Sequence, residues 1–437
     1  MTLESRLLQT LSPWRHAPAW RVALSGGLDS TVLLHLLASL AQREALPPLF
    51  AIHIHHGLQA AADAWPAHCR ALCERLGVPL QVEYVEVEPG ASIERAARDA
   101  RYAAFAAALA PGELLLVAQH REDQAETLLF RLLRGAGVQG LAAMPATRPL
   151  GAGQLLRPLL NCSRAELQTY AEQQQLAWIE DPSNADSRFS RNYLRQRVMP
   201  LLQARWPQAA QRMALTAEHL GEAAQLLDEL AQQDLRAAQS PSCFAWLNLA
   251  SLDLPVIREL SAARQRNALR YWLRGRTAMP DSCHWSGWDN LRDAASDATP
   301  IWRLAGGELQ RADERLWWLT GAWLQTPRPP GQLVQAEQWL DLPGNGAVSL
   351  QGRMPTGELQ LSYRHGGEVM ELPGRGRRNL KRLLNERQVP VFLRGRLPLL
   401  TCDGRLVAVA NLAGLDGPAD GQWRLVWRPP IDDQGLS

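Results

Sequence analysis

The stretch Arg21-Val-Ala-Leu-Ser25-Gly26-Gly27-Leu28-Asp29-Ser30-Thr31 decides the fold: an apolar strand runs into a glycine turn, and the turn opens a helix. Each position has a physical task. Gly26 and Gly27 let the backbone approach an anion closely and take positive φ, while the hydroxyls of Ser25, Ser30 and Thr31 supply donors. The free N–H groups at the start of the helix, Leu28 among them, add an oriented partial positive charge of about half a unit. Such a turn grips phosphate without a lysine. Asp29 would repel a bare phosphate, which makes sense if it holds Mg²⁺ bound to pyrophosphate oxygens. For this stretch alone, a glycine-rich β-to-α turn with an Asp/Ser helix cap is the plain alternative.

Outward from this turn, residues 20–135 alternate short apolar runs with amphipathic stretches in the order βαβαβαβα. The class is α/β. Strands alternating with helices of this length predict a doubly wound parallel sheet, with ligands at the carboxyl ends of the strands. Residues 155–202 read as helix and loop, with Asp181-Pro182-Ser183-Asn184 as a turn. The composition divides the chain into an N-terminal domain over 1–208, a mainly helical middle domain over 209–325 and a mixed α/β C-terminal domain over 332–437, with Thr326-Pro-Arg-Pro-Pro-Gly331 as linker. In the last of these, Asp403-Gly404 between apolar runs marks a hairpin.

The chain has 437 residues, 46% of them hydrophobic and 21% charged, so it is long enough for several cores and unlike a disordered protein. No run approaches the ~18 apolar residues of a membrane span. The N-terminus carries Glu4 early and lacks a cleavage site, so no signal peptide is expected and the compartment is the cytoplasm. Six cysteines, Cys69, Cys73, Cys162, Cys243, Cys283 and Cys402, form no Cys-x-x-Cys pair and read as reduced thiols. Lys381 is the single lysine, so 45 of the 46 basic residues are arginine. A Walker-type phosphate loop or a Schiff-base lysine is therefore excluded from the first 380 residues. The net charge of +2 implies no polyanionic partner by itself.

The turn from Ser25 to Ser30 matches in full the signature of the PP-loop ATP pyrophosphatases, a resemblance that implies ATP cleaved between its α and β phosphates and a substrate that is adenylated. A second segment, Gln119-His120-Arg121-Glu122-Asp123-Gln124-Ala125-Glu126-Thr127, follows the apolar run at 114–118. On a helix His120, Asp123, Glu126 and Thr127 share one face. Two carboxylates and an imidazole there suit an Mg²⁺ shell opposite Asp29, or proton removal from an amine; a capped, solvated first turn is the alternative. This segment resembles the signature of one PP-loop branch, the tRNA(Ile)-lysidine synthetases. Arg121-Glu122 stands where many relatives carry a further Asp, so no metal ligand is expected at Glu122.

Other segments resemble the same branch: His56-Gly57-Leu58 after the second strand, residues 95–102 with Arg98, and Glu180-Asp181-Pro-Ser-Asn184 ahead of Arg191-Asn192 and Arg195. Arg188, Arg191 and Arg195 stand three and four apart, a face suited to phosphate or a substrate carboxylate, or an ordinary solvated face. His53, His55 and His56, or His68 with Cys69 and Cys73, mimic metal tracts, but strand alternation and the usual burial of cysteine favour core roles. Between Arg364 and Arg396 nine basic residues face three acidic ones. Arg375, Arg377, Arg378, Lys381 and Arg382 cluster around a helix expected at 378–387 and suit a phosphate backbone. This part is similar to the C-terminal domain of the long-form lysidine synthetases. Trp317, Trp318 and Trp427 alternate in strand-like runs and read as core.

The resemblance implies an enzyme that uses ATP and Mg²⁺ to join free L-lysine to C2 of the wobble cytidine in the CAU anticodon of an isoleucine tRNA, through an adenylated cytidine with release of pyrophosphate and AMP. It assigns phosphate binding to Ser25, Gly26, Gly27, Leu28, Asp29 and Ser30 and Mg²⁺ to Asp29 and Asp123. Proton removal from the amine falls to His120 or Glu126, and a homodimer is the implied assembly. A PP-loop tRNA thiolase is the alternative, one that needs sulfur-carrying cysteines or an iron–sulfur cluster.

Overall fold

The computed structural model describes residues 2–57, 60–87, 93–242, 244–278, 285–295, 298–328 and 337–431; Leu58, Cys243, Cys283 and Pro329 to Gly331 lie outside the described residues. The chain divides into two compact units, Met1–Leu226 and Leu227–Ser437. Among the described residues no helix is long and apolar enough to cross a membrane.

In the first unit the alternation of strand and helix closes into one six-stranded sheet. Its strands are β1 (Trp20–Ala23), β2 (Leu49–His55), β3 (Leu80–Tyr84), β4 (Leu114–Leu116), β5 (Thr147–Leu150) and β6 (Gly153–Leu156), in the order β3-β2-β1-β4-β6-β5. All neighbours run parallel except β5 against β6. The order reverses between β1 and β4. At such a switch point the crossover helices leave to opposite faces and a crevice opens at the carboxyl ends of the two strands.

The helices are α1 (Leu3–Leu11), α2 (Leu28–Ala41), α3 (Trp65–Leu76), α4 (Ile93–Ala108), α5 (Arg121–Leu132), α6 (Val138–Leu141) and α7 (Arg164–Gln173). Helix α2 is apolar nearly all round because it is enclosed, with Val32, Leu33, Leu34, Leu36 and Leu37 fully buried in one core with Trp20, Val22 and Leu167. The hairpin β5–β6 lies in a stretch for which no element was expected, overlapping the helix and loop expected over 155–202 only at Leu155 and Leu156. Its strands have four residues each and Pro149 interrupts the first, so there is little alternation to read; Pro149 is tolerated because β5 is an edge strand. Gly151 turns the hairpin at φ 53°, where a Cβ would stand 2.3 Å from the carbonyl oxygen of Ala106.

Beyond the sheet, α8 (Ser190–Tyr193), a wider π turn (Leu194–Val198) and α9 (Met199–Arg205) form one helical run, and α10 (Ala209–Ala238) follows. In the second unit the mainly helical segment also holds an antiparallel sheet, which includes the strand-like runs expected at Ile301–Leu304 and Arg315–Leu319. Its strands β7 (Ser251–Asp253), β8 (Ile301–Leu304), β9 (Gly307–Ala312) and β10 (Arg315–Leu319) lie in the order β7-β10-β9-β8. Strand β10 is buried on both faces: alternation sends Leu316 and Trp318 into a core with Trp272, Trp288 and Trp302, and Trp317 and Leu319 into the core of the C-terminal sheets. Those sheets are β11 (Leu340–Asp341), β12 (Ala347–Gly352) and β18 (Trp423–Arg428), and β13 (Leu359–Ser362), β16 (Leu399–Cys402), β17 (Arg405–Val409), β14 (Val369–Leu372) and β15 (Gly376–Asn379), each in that order. The Asp403-Gly404 hairpin forms between β16 and β17. Trp317, Trp318 and Trp427 are core residues, each no more than 2% exposed.

Because Leu33 is wholly enclosed, Leu33→Ala leaves a cavity and lowers the stability of the first unit by about 2–5 kcal/mol. Urea unfolding of the full chain checks this; a loss under ~1 kcal/mol would mean that α2 is not held between sheet and helices as described.

Candidate active site

Two strand ends build the site. The chain leaves β1 through Leu24 and Ser25, and Gly26 takes φ +85° so that the path reverses into α2; a Cβ there would meet Ile179 Cδ1 at 2.9 Å and Cys69 Sγ at 3.2 Å. Glycine is required on both counts. The turn is tied internally: Ser30 Oγ accepts from the Ser25 N–H at 3.2 Å, the two hydroxyls lie 2.9 Å apart, and Ile179 N–H donates to the Gly26 carbonyl at 2.9 Å. Gly27 caps α2, whose first turn exposes N–H groups that the helix itself cannot pair.

Next to it, β4 ends and α5 begins with His120 at its N-cap, and Asp123 Oδ2 accepts from the His120 backbone N–H at 3.1 Å. The pairing of β1 with β4 brings Asp29 and Asp123 to the same imidazole, 3.7 and 3.4 Å from His120 Nε2. Its Nδ1–H donates to Glu122 at 3.1 Å, and Glu122 also accepts from the Arg164 backbone N–H. Burial works against a charged His120, but the Glu122 bond and the Asp123 and Asp29 carboxylates prevail and raise its pKa. Asp29 is pushed up by burial and by Asp123, against the pull of His120. Asp123 is pulled below the usual carboxylate range: burial opposes this, and His120, Arg191 and Arg195 overcome it.

The arginine face reads differently in three dimensions. Arg195 donates to Glu126 at 2.7 Å and to Asp123 at 2.9 Å, and Arg191 reaches the same two carboxylates at 3.3 and 3.2 Å. These two guanidiniums are therefore engaged by the protein's own acids and are not free anion binders. Arg188 turns away to Asp186. Arg98 stacks over Tyr102 and does not line the cleft, whereas Arg101, in the next turn, does.

The cleft, of about 850 Å³, is lined by Ser25, Gly27, Leu28, Asp29, Ser30, Asp123 and Arg195, and by His56, Arg101, Tyr102 and Asp181. His120 and Glu126 are each 2% exposed and stand behind this wall. In this arrangement His120 contacts Asp29, Glu122 and Asp123, and Glu126 contacts Arg191 and Arg195. Two imidazoles, His53 and His56, line the cleft; His53 is 2% exposed and His56 is the more open of the two. Among the described residues the Nδ1 of His56 is buried without a hydrogen-bond partner, and burial, with Arg101 and His55 adding to it and Asp181 opposing, lowers its pKa. The signal for His56 was its place just after β2; Arg101 was marked by its place one turn beyond Arg98.

The other tracts are interior. His53 Nδ1–H donates to the Leu24 carbonyl at 2.8 Å, tying β2 to the turn, and burial pushes the Cys69 and Cys73 thiols up to about 12 and about 11. Among the described residues no three His, Cys, Asp or Glu side chains form a ready-made metal cage. Asp29 and Asp123 do fit Mg²⁺ as a partial donor set, because among the described residues Asp29 Oδ1 is buried with no hydrogen-bond partner and Asp123 is held below the usual carboxylate range. Phosphate oxygens would complete such a shell.

In the second unit the basic segment is thinner than its charge count. Arg396 is interior, donating to the carbonyls of Ala322, Trp323 and Gln325, and Arg375 and Arg382 both pair with Glu386. Arg377 and Arg378 lie on the exposed strand β15 and Lys381 on the helix Leu380–Glu386, shorter than the one expected, because the chain is extended up to its Asn379 cap.

Residues 1–202 match the family model described as PP-loop domain, residues 252–317 the TilS substrate binding domain and residues 359–427 the TilS substrate C-terminal domain. A tRNA(Ile)-lysidine synthase of Pseudomonas fluorescens is 63% identical over 99% of this chain and 98% of its own. That of Escherichia coli O157:H7 is 41% identical over 92% and 94%. Among solved structures, a U34-tRNA thiolase from Methanococcus maripaludis superposes with TM-score 0.42 at 17% identity over 50% of this chain and 78% of that one, too remote to bear on activity. With relatives this close aligned along nearly the entire chain, it belongs to the tRNA(Ile)-lysidine synthase family.

Proposed function

We propose that the chain ligates free lysine to C2 of the wobble cytidine in the CAU anticodon of isoleucine tRNA, giving lysidine, and does so in the cytoplasm. One observation carries the chemistry: the anion-binding turn and the carboxylates Asp29 and Asp123 meet on one wall of a cleft at the switch point, in a chain related from end to end to tRNA(Ile)-lysidine synthases. The C2 carbonyl of cytosine is a poor electrophile with a poor leaving group. Transfer of AMP from ATP to that oxygen, with loss of pyrophosphate, supplies a good one; the ε-amine then attacks C2 and AMP departs.

The turn's N–H groups and hydroxyls bind the pyrophosphate as it leaves. Mg²⁺ held by Asp29 and Asp123 would neutralise its charge. His56, on the wall and with a lowered pKa, is our candidate for taking the proton from the attacking amine, with His120 and Glu126 as positioning residues. Arg377, Arg378 and Lys381 are the candidates for holding the tRNA backbone away from the chemistry. The thiolase alternative loses support from Cys69 and Cys73, whose raised thiol pKa values are the reverse of what a sulfur-carrying nucleophile requires.

Labelled lysine, supplied with ATP and Mg²⁺, enters an isoleucine tRNA transcript bearing CAU and not a methionine tRNA with the same anticodon; label in both or in neither rejects the assignment. His56→Asn depresses lysine transfer by about 10²-fold or more while sparing adenylation, whereas His120→Asn lowers both steps together. Equal losses in the two variants, followed by single-turnover kinetics, would remove His56 from the base role. Replacing Arg377, Arg378 and Lys381 together with Ala raises the tRNA KM and reduces the slope of log KM against log salt by about two to three. Unchanged kinetics would free the patch from any such role.

A further inference from the structure

Residues 187–217 contain six arginines and no acidic residue. Two of them, Arg191 and Arg195, are turned inward onto Asp123 and Glu126. The outward side of the same helical run is unusual for a solvated surface. Phe189, Tyr193, Arg197, Leu201 and Arg205 recur every fourth residue along this run, across its π turn, and all five are exposed. Phe189, Tyr193 and Leu201 are 40%, 52% and 74% exposed, and Trp206, 58% exposed, closes the row with Arg205 lying 5.6 Å over its ring. Among the described residues no carboxylate pairs with Arg197 or Arg205. The row passes next to the cleft: Arg195 and Gln196, which lie between Tyr193 and Arg197 in the chain, line it.

We propose that this row is a platform for single-stranded RNA, on which unpaired bases beside the reacting cytidine stack on Tyr193 and Trp206 while Arg197 and Arg205 meet the backbone. The inference rests on the reading of the site as one that acts on an anticodon loop, and it adds a surface to that reading. Aromatic faces interleaved with unpaired cations are what loop recognition uses, since every base has a face to stack and every nucleotide a phosphate. A second copy of this chain fits worse. A two-fold interface would set this stretch against itself, cation facing cation with no acid on either side.

The test uses the full chain and a hairpin RNA carrying the isoleucine anticodon stem and CAU loop, with affinity read by fluorescence anisotropy. Tyr193→Ala and Trp206→Ala each weaken binding of the hairpin by about tenfold and leave a fully paired duplex of the same length unaffected. Tyr193→Phe, which keeps the ring, binds within about twofold of the parent, and Arg197→Gln lowers the salt slope by about one. Hairpin affinity unchanged in both alanine variants overturns the proposal. So does a change in sedimentation with RNA affinity retained, which would make the row a contact between copies. A parent chain that binds the hairpin as described yet attaches no lysine to tRNA would sink the proposed reaction and leave the platform standing.

Discussion

Two guanidiniums hold two carboxylates, and the geometry of the site follows from that. Asp123 and Glu126 sit one turn apart at the start of α5, and Glu126 is almost wholly buried. Left alone, two such acids would repel one another and take up protons. Arg191 and Arg195, from a run that also packs Met199 and Leu202 against Ala125 and Leu129 of α5, supply the opposing charge in forked geometry. The network is not a source of net stability in itself, since four charges must first be dehydrated. Its value is positional: it keeps the Asp123 pKa low and its carboxylate aimed into the cleft, and it fixes the helical run whose outer side carries the exposed aromatics.

His120 completes the arrangement from the other side. It bridges the end of β1's turn to the start of α5 through Asp29 and Asp123, and is itself held by Glu122. Three acids around one imidazole leave an excess of negative charge, and among the described residues the Asp29 inner oxygen has no hydrogen-bond partner. That asymmetry is what a cation carried in by a phosphate ligand would relieve.

Much of this was legible in the sequence where the determinants are local. The turn from Ser25 to Ser30 and the start of α5 are written in consecutive residues, so strand, turn and helix could be read together. Partnerships across long separations were not. The spacing of Arg191 and Arg195 announced one face but could not say that the face would meet Asp123 and Glu126, some seventy positions earlier. Likewise the helical phase grouped His120 with Asp123 and Glu126 but could not tell the cleft from the layer behind it. Arg396 illustrates the same limit for charge counts: it adds to a basic cluster in sequence, yet its guanidinium is spent on backbone carbonyls of residues 322–325. The hairpin β5–β6 was too short for alternation to register.

Strand β10 carries a further consequence. Trp318 and Leu316 belong to one core and Trp317 and Leu319 to another, so four consecutive residues are a wall shared by two rooms. Neither room can be emptied without wetting the wall. The segments 252–317 and 359–427, distinct as stretches of sequence, thus meet at one strand, and removing either would bare two of its apolar side chains to water.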